Sequence, residues 1–223
     1  VSTASDAAVV VLAKRPVAGR VKTRLSPPLT PDEAAALADA LLGDTLDRLA
    51  AASLRFAGRT VRLYLDEPDG FDAPPGVSVH RQAGGGLGAR MLRAVVESAA
   101  AGARRIVVVG TDSPTLPAAF VDLAVDALAE PRTVVLGPTP DGGYCLIGVN
   151  EIVPSLFAME YSHDGVFAET LSRAADAGLA PVILPEVPDV DDGADLDALA
   201  AAWRNGADVG PRTSAWLAAT APR

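Results

Sequence analysis

The sequence predicts an α/β protein built on a mostly parallel sheet covered by helices. Three observations carry that prediction. Strand-length apolar runs alternate with helix-length segments along nearly all of the 223 residues, the pattern of repeated strand–helix–strand units. Two of the runs, "AAVVVLA" at 7–13 and "RRIVVVG" at 104–110, have apolar β-branched cores that suit strands buried on both faces. The composition is 49% hydrophobic but only 4% aromatic, ample for a core and weighted toward Ala, Val and Leu.

The elements run in this order. "AAVVVLA" is the first strand. Thr30 is a good N-cap, Pro31 fits the first helical position, and Asp32 and Glu33 occupy the first turn of a long helix. "TVRLYLD" (60–66) and the short "VSVHRQ" read as strands, separated by the loop "DEPDGFDAPPG". "GARMLRAVVESAAAG" is a helix ending near Gly102, and the 104–110 strand comes next. A helix over 117–130 precedes strands at 133–138 and 144–149, which flank "TPDGG". Residues 165–178 form a helix, 180–186 a strand and 194–206 a helix. The tail offers only a short helix around Trp216. No repeat, linker or composition break divides the chain, so 1–223 reads as one domain.

The net charge of −9 argues against nucleic acid or an anionic membrane as a partner. Cys145 is the single cysteine, so no internal disulfide framework exists. The first apolar run is too short to span a bilayer and no basic region precedes it, so the expectation is a soluble, cytoplasmic protein. The two histidines, His80 and His163, show no zinc-ligand spacing. No serine sits in a nucleophile elbow. Trp203 and Trp216 read as packing residues.

Open parallel sheets bind ligands at the carboxyl ends of their strands, so the loop leaving each strand matters most. After the first strand, "AKRPVAGRVKTRL" places Lys14, Arg15, Arg20, Lys22 and Arg24 close together without interleaved acids. The loop suits a polyphosphate clamp, against the alternative of solvated surface charge. It is not a Walker loop, because Arg20 and Val21 separate Gly19 from Lys22. After the third strand, "RQAGGGLGARM" lacks the third glycine of a dinucleotide fingerprint; Met91 stands there. It is either a flexible helix entry or a close approach to a flat ring, with Gln82 offering a two-sided amide to a base edge. In "GTDSPTLP", Asp112 is either an Asx-turn residue or a carboxylate for Mg²⁺. "PDGGY" reads as an Asp-Gly hairpin, whose Asp141, Gly142, Gly143 and Tyr144 also suit the lining of an acceptor pocket. In "PDVDDGADLDAL", Asp192 can cap the next helix. Three carboxylates exceed what a cap requires, and Asp191 is the choice for a second metal ligand beside Asp112.

Taken together, these motifs resemble a bacterial nucleotide-diphospho-sugar transferase family, commonly labelled glycosyltransferase and linked to arsenosugar gene clusters. They stand in that family's order from residue 13 to about 200. The resemblance implies the GT-A fold, a three-layer α/β/α sandwich with a mostly parallel mixed sheet. Its wider superfamily includes sugar-phosphate, molybdenum-cofactor and deazaflavin-cofactor nucleotidyltransferases. By resemblance, Ala13 and Lys14 border the nucleoside, and Lys22 and Arg24 meet the phosphates. Gln82, Gly84, Gly85 and Gly88 read the base. Asp112 holds Mg²⁺ (or Mn²⁺), and Asp191 completes the site. Lys22, Arg24 and Asp112 would be the catalytic residues. Three departures stand out: Gly86 where relatives carry an acid, Tyr161 where they carry tryptophan, and Pro114 where a glycosyltransferase DxD has its second carboxylate. The last favours nucleotidyl transfer from an NTP to a small phosphorylated or carboxylate acceptor. Glycosyl transfer from an NDP-sugar, with Asp141 or Asp164 as base, is the alternative, and a nucleotide-binding protein without turnover is the third reading.

Overall fold

The computed structural model describes residues 6–53 and 58–220. Seven strands form one sheet: β1 (Ala7–Ala13), β2 (Arg59–Leu65), β3 (Val77–Arg81), β4 (Arg105–Val109), β5 (Thr133–Pro138), β6 (Tyr144–Val149) and β7 (Ala180–Ile183). Their order is β3-β2-β1-β4-β6-β5-β7. All pairings are parallel except those of β6, which runs antiparallel to both neighbours. The Asp-Gly sequence of the β5–β6 turn explains that reversal, since a two-strand hairpin must be antiparallel.

Six α-helices accompany the sheet: α1 (Pro31–Ser53), α2 (Leu87–Ala100), α3 (Ala118–Ala127), α4 (Val166–Asp176), α5 (Gly193–Arg204) and α6 (Pro211–Thr220). Period-2 alternation in β1 sorts its side chains between two layers. Ala7, Val9 and Val11 pack with Leu42, Leu46 and Leu49 of α1 and Val121 of α3. Ala8 and Val10 pack on the opposite face with Met91 and Val95 of α2 and Ala174 of α4. The result is the expected α/β/α arrangement. A third cluster joins Leu37 and Leu41 of α1 to Leu199 of α5 and Leu217 of α6, with Trp203 and Trp216 packed against it.

Local signals acted as read at both predicted caps. Thr30 and Glu33 exchange hydrogen bonds, with Thr30 N donating to Glu33 Oε2 at 2.8 Å and Glu33 N to Thr30 Oγ1 at 3.2 Å. Asp192 and Asp195 form the same box at α5. The predicted strand over 180–186 is shorter, ending at Ile183. Ala180 N donates inward to Arg132 O, just before β5, and Leu184 N to Leu136 O of β5. Alternation turns position 181 to the open edge, where proline has no N–H to offer a further strand. Beyond Ile183 the chain crosses the end of the sheet, with Val187 N bonded to Pro138 O and Val190 N to Asp112 O.

The tail helix α6 has a cause the local sequence did not show. Asp44 of α1 is only 4% exposed. Its carboxylate accepts from Arg212 N at 3.0 Å and Thr213 N at 2.8 Å, capping α6 from another element. Asp44→Ala is expected to cost about 2–4 kcal/mol, since two charge-assisted bonds are lost from a buried site. Thermal melts, with limited proteolysis reporting release of α6, measure it. Among the described residues no helix is long and apolar enough to cross a membrane.

Candidate active site at the carboxyl ends of the strands

Strand order reverses between β1 and β4, and the crevice outside the carboxyl ends opens there. A cleft of about 700 Å³ occupies it, lined from the loops after β1, β3, β4 and β5 and from the crossing segment.

The basic loop divides its charges. Arg15 turns outward, donating to Asp69 O at 2.7 Å and lying 5.8 Å over the Phe71 ring. Arg20 pairs with Glu67 at 2.6 Å. These two cations fasten the loop to the segment after β2. Lys14 lines the cleft. Lys22 and Arg24 face the carboxylates instead. Buried Val21 and Leu25 anchor the turn around them. Lys22 adopts a left-handed φ of 48°, a conformation that non-glycine residues adopt uncommonly. Its side chain is 8% exposed, and its ammonium pairs with Asp112 Oδ1, sits 3.4 Å from Asp191 Oδ1 and donates to Val190 O at 2.5 Å. Arg24 lies 3.8 Å from Asp191 Oδ2. Asp112 and Asp191 therefore share one lysine.

The crossing segment adds a carboxylate that sequence reading passed over. Oxygen atoms of Asp141, Asp189 and Asp191 lie within 4.8 Å of one another. Asp112 is not one of that trio; it shares the Lys22 ammonium with Asp191. The donors are all carboxylate oxygens, which suits a hard divalent cation such as Mg²⁺ or Mn²⁺. Burial, then the charges of Asp141 and Asp191, push the Asp189 carboxyl up to about 6. Its folded pKa lies above the unfolded value of 3.8. The native state therefore holds a proton the unfolded state has lost, and this contribution to stability fades as pH rises through about 6. In chelator, Asp189→Asn is expected to melt higher than wild type at pH 7.5, with the gap shrinking as pH falls toward 4.5; melts across that range check it.

The glycine-rich loop departs from its expected use. Both amide hydrogens of Gln82 are engaged, by Ala13 O at 2.6 Å and Tyr64 O at 2.9 Å. Gln82 thus ties β1 to β2 and offers only its oxygen. Arg90 approaches that oxygen at 3.4 Å and donates through Nε to Gly85 O at 2.8 Å. Gly85, at φ 98°, turns its carbonyl to this cation. Arg90 lines the cleft and has no carboxylate partner among the described residues. Sequence reading missed it, although it lies on the first turn of α2. Gly84 is open, whereas Gly88 is buried because any Cβ would strike Phe157 O; packing requires that glycine.

The β5–β6 turn is self-contained. Asp141 Oδ1 accepts from Thr139 Oγ1 at 2.5 Å and from Gly143 N at 2.9 Å. Gly142, at φ 83°, abuts Asp164 and accepts from Phe167 N at 2.8 Å. The two glycine N–H groups are thus not free to line a pocket: Gly142 N bonds Thr139 O. Tyr144 and Tyr161 reach the cleft together, their hydroxyls 3.4 Å apart. Cys145 is buried at its floor, and burial raises its thiol to about 11, so it stays protonated near neutrality.

A sequence-family profile described as "Uncharacterized protein conserved in bacteria (DUF2064)" matches residues 41–163. No curated protein matches the chain. Among solved structures, one from Desulfovibrio desulfuricans G20, assigned as a nucleotide-diphospho-sugar transferase, is 28% identical, covers 96% of this chain and 95% of its own, and superposes with a TM-score of 0.85. A Methanothermobacter nucleotidyl transferase is 14% identical over 86% of this chain and 95% of its own, with a TM-score of 0.57. A CMP:2-keto-3-deoxy-manno-octonic acid synthetase complexed with CTP is 15% identical over 90% and 99%, with a TM-score of 0.51. The fold is therefore of the nucleotidyltransferase, GT-A type.

Proposed function

From a chain that belongs to the DUF2064 family and carries this cleft, we propose a nucleotidyltransferase that moves a nucleoside monophosphate from an NTP to a small phosphorylated or carboxylate acceptor. The observation that carries the reading is the convergence of Lys22 and Arg24 with Asp112 and Asp191 at the β1/β4 switch point. Ala13 and Lys14 border the nucleoside, while Gln82 Oε1 and the Arg90 guanidinium face the base; Gly84 and Gly85 shape that approach. Asp112 and Asp191 would hold Mg²⁺ or Mn²⁺, with Asp189 and Asp141 close to Asp191. When bound, the cation would neutralise phosphate oxygens and polarise the α-phosphorus. An acceptor oxygen, positioned beside Asp141, Gly143 and Tyr144, attacks the α-phosphorus. The bond from that phosphorus to the α–β bridging oxygen breaks, and pyrophosphate leaves toward the charges of Lys22 and Arg24. Such a reaction proceeds by positioning and charge. It needs no protein nucleophile, in keeping with the protonated Cys145.

The likeness to the Desulfovibrio protein favours a second reading, glycosyl transfer from an NDP-sugar. Calorimetric titration with the four NTPs and a set of NDP-sugars, each with Mg²⁺, separates the donors. The proposal expects an NTP to bind more tightly than any NDP-sugar of the same base. The reverse order would turn the assignment to glycosyl transfer.

A further inference from the structure

Lys22 is oddly placed for a residue whose only task is to meet phosphate. Its ammonium is nearly buried, in contact with Asp112 and 3.4 Å from Asp191. The Val190 carbonyl, between Asp189 and Asp191 in sequence, accepts from it at 2.5 Å. A left-handed backbone at Lys22 and the buried neighbours Val21 and Leu25 fix where the side chain starts. Arg24 lies 3.8 Å from Asp191, and carboxylate oxygens of Asp141 and Asp189 lie within 4.8 Å of those of Asp191. One cation thus sits among oxygens that a divalent ion would also use.

We propose that Lys22 is the resident counter-ion of the metal site, and that it makes metal entry depend on nucleotide. This inference rests on the metal-dependent reading of the cleft and adds to it. In the free protein the ammonium pairs with both Asp112 and Asp191 and offsets part of their charge, so a divalent ion must displace it or bind beside it against its charge. A polyphosphate offers the ammonium a second set of anionic oxygens. Once Lys22 turns to them, both carboxylates are released to the ion. The same interaction read in reverse means that metal favours phosphate binding by the same factor. Lys22 is then a positioning residue for the metal as well as a phosphate contact.

The test uses Mn²⁺ alone, without nucleotide, with bound ion counted by electron paramagnetic resonance on the full chain. Lys22→Met is expected to bind Mn²⁺ roughly tenfold or more tightly than wild type, the size by which an opposite charge at this range shifts a carboxylate's proton affinity. Lys22→Arg, which keeps the charge, should bind like wild type. Adding Asp112→Asn to Lys22→Met should remove the gain. Circular dichroism confirms that each variant is folded, and Lys22→Gln replaces Lys22→Met if the latter is not. If wild type and Lys22→Met bind Mn²⁺ equally well, the counter-ion role is wrong and the metal-dependent reading survives. If neither binds Mn²⁺ even at millimolar concentration, the counter-ion role and the metal site fall together.

Discussion

Asp112→Asn is expected to lower metal-dependent turnover by roughly 100-fold or more, the scale on which preorganised charge at a reacting phosphate contributes. The substitution preserves shape and removes charge. The backbone bond from Val190 N to Asp112 O is untouched, so the crossing segment stays in place. The Lys22 ammonium loses one anionic partner but keeps the Val190 carbonyl and Asp191. Thermal stability should therefore fall slightly while turnover collapses. Steady-state rates across a Mg²⁺ titration, paired with melts in chelator, measure the two effects separately. An Asp112→Asn enzyme with full activity at saturating Mg²⁺ would remove this residue from the mechanism.

Gly142→Ala is the second large effect, acting on stability and site together. A Cβ there would overlap the Asp164 carbonyl and lie 2.8 Å from its Cα, and the residue's φ of 83° is unfavourable for any side chain. The expected cost is about 2–5 kcal/mol, from left-handed strain plus overpacking. The displaced segment carries Tyr161, Ser162 and His163, which line the cleft. Activity of the surviving folded fraction should thus fall beyond what the melting shift explains. Gly206→Ala, at φ 90° with nothing within 4 Å of a Cβ, is the control that carries the backbone strain without the clash.

Much of the fold was legible because its signals are local. Apolar runs of strand length, the Thr30 and Asp192 caps and the Asp-Gly turn each act within a few residues, and each formed as read. The candidate site was legible in outline, since chemistry collects where strands end. What the sequence hid were choices among distant partners. Nothing near Arg15 and Arg20 says that they fasten to residues 66–70 while Lys22 and Arg24 turn to the carboxylates. Gln82 looked free to read a base, yet two strand-end carbonyls take its amide hydrogens. Asp189 read as one acid among three, and only the crossing over β5 brings it beside Asp141. Gly88 resembled a ligand-contacting glycine, but its neighbour is the Phe157 carbonyl. Asp112 and Asp191, read from sequence as two metal ligands, share a lysine.

The proposed reaction breaks the bond between the α- and β-phosphates of an NTP. The direct measurement is mass spectrometry of the products after incubating the protein with Mg²⁺, each NTP in turn and a panel of phosphorylated and carboxylate acceptors. Pyrophosphate is expected in equal amount with an acceptor heavier by one nucleoside monophosphate, and both products are expected to be lost in Asp112→Asn. Acceptors heavier by a sugar when NDP-sugars replace NTPs, with no pyrophosphate from any NTP, would contradict it.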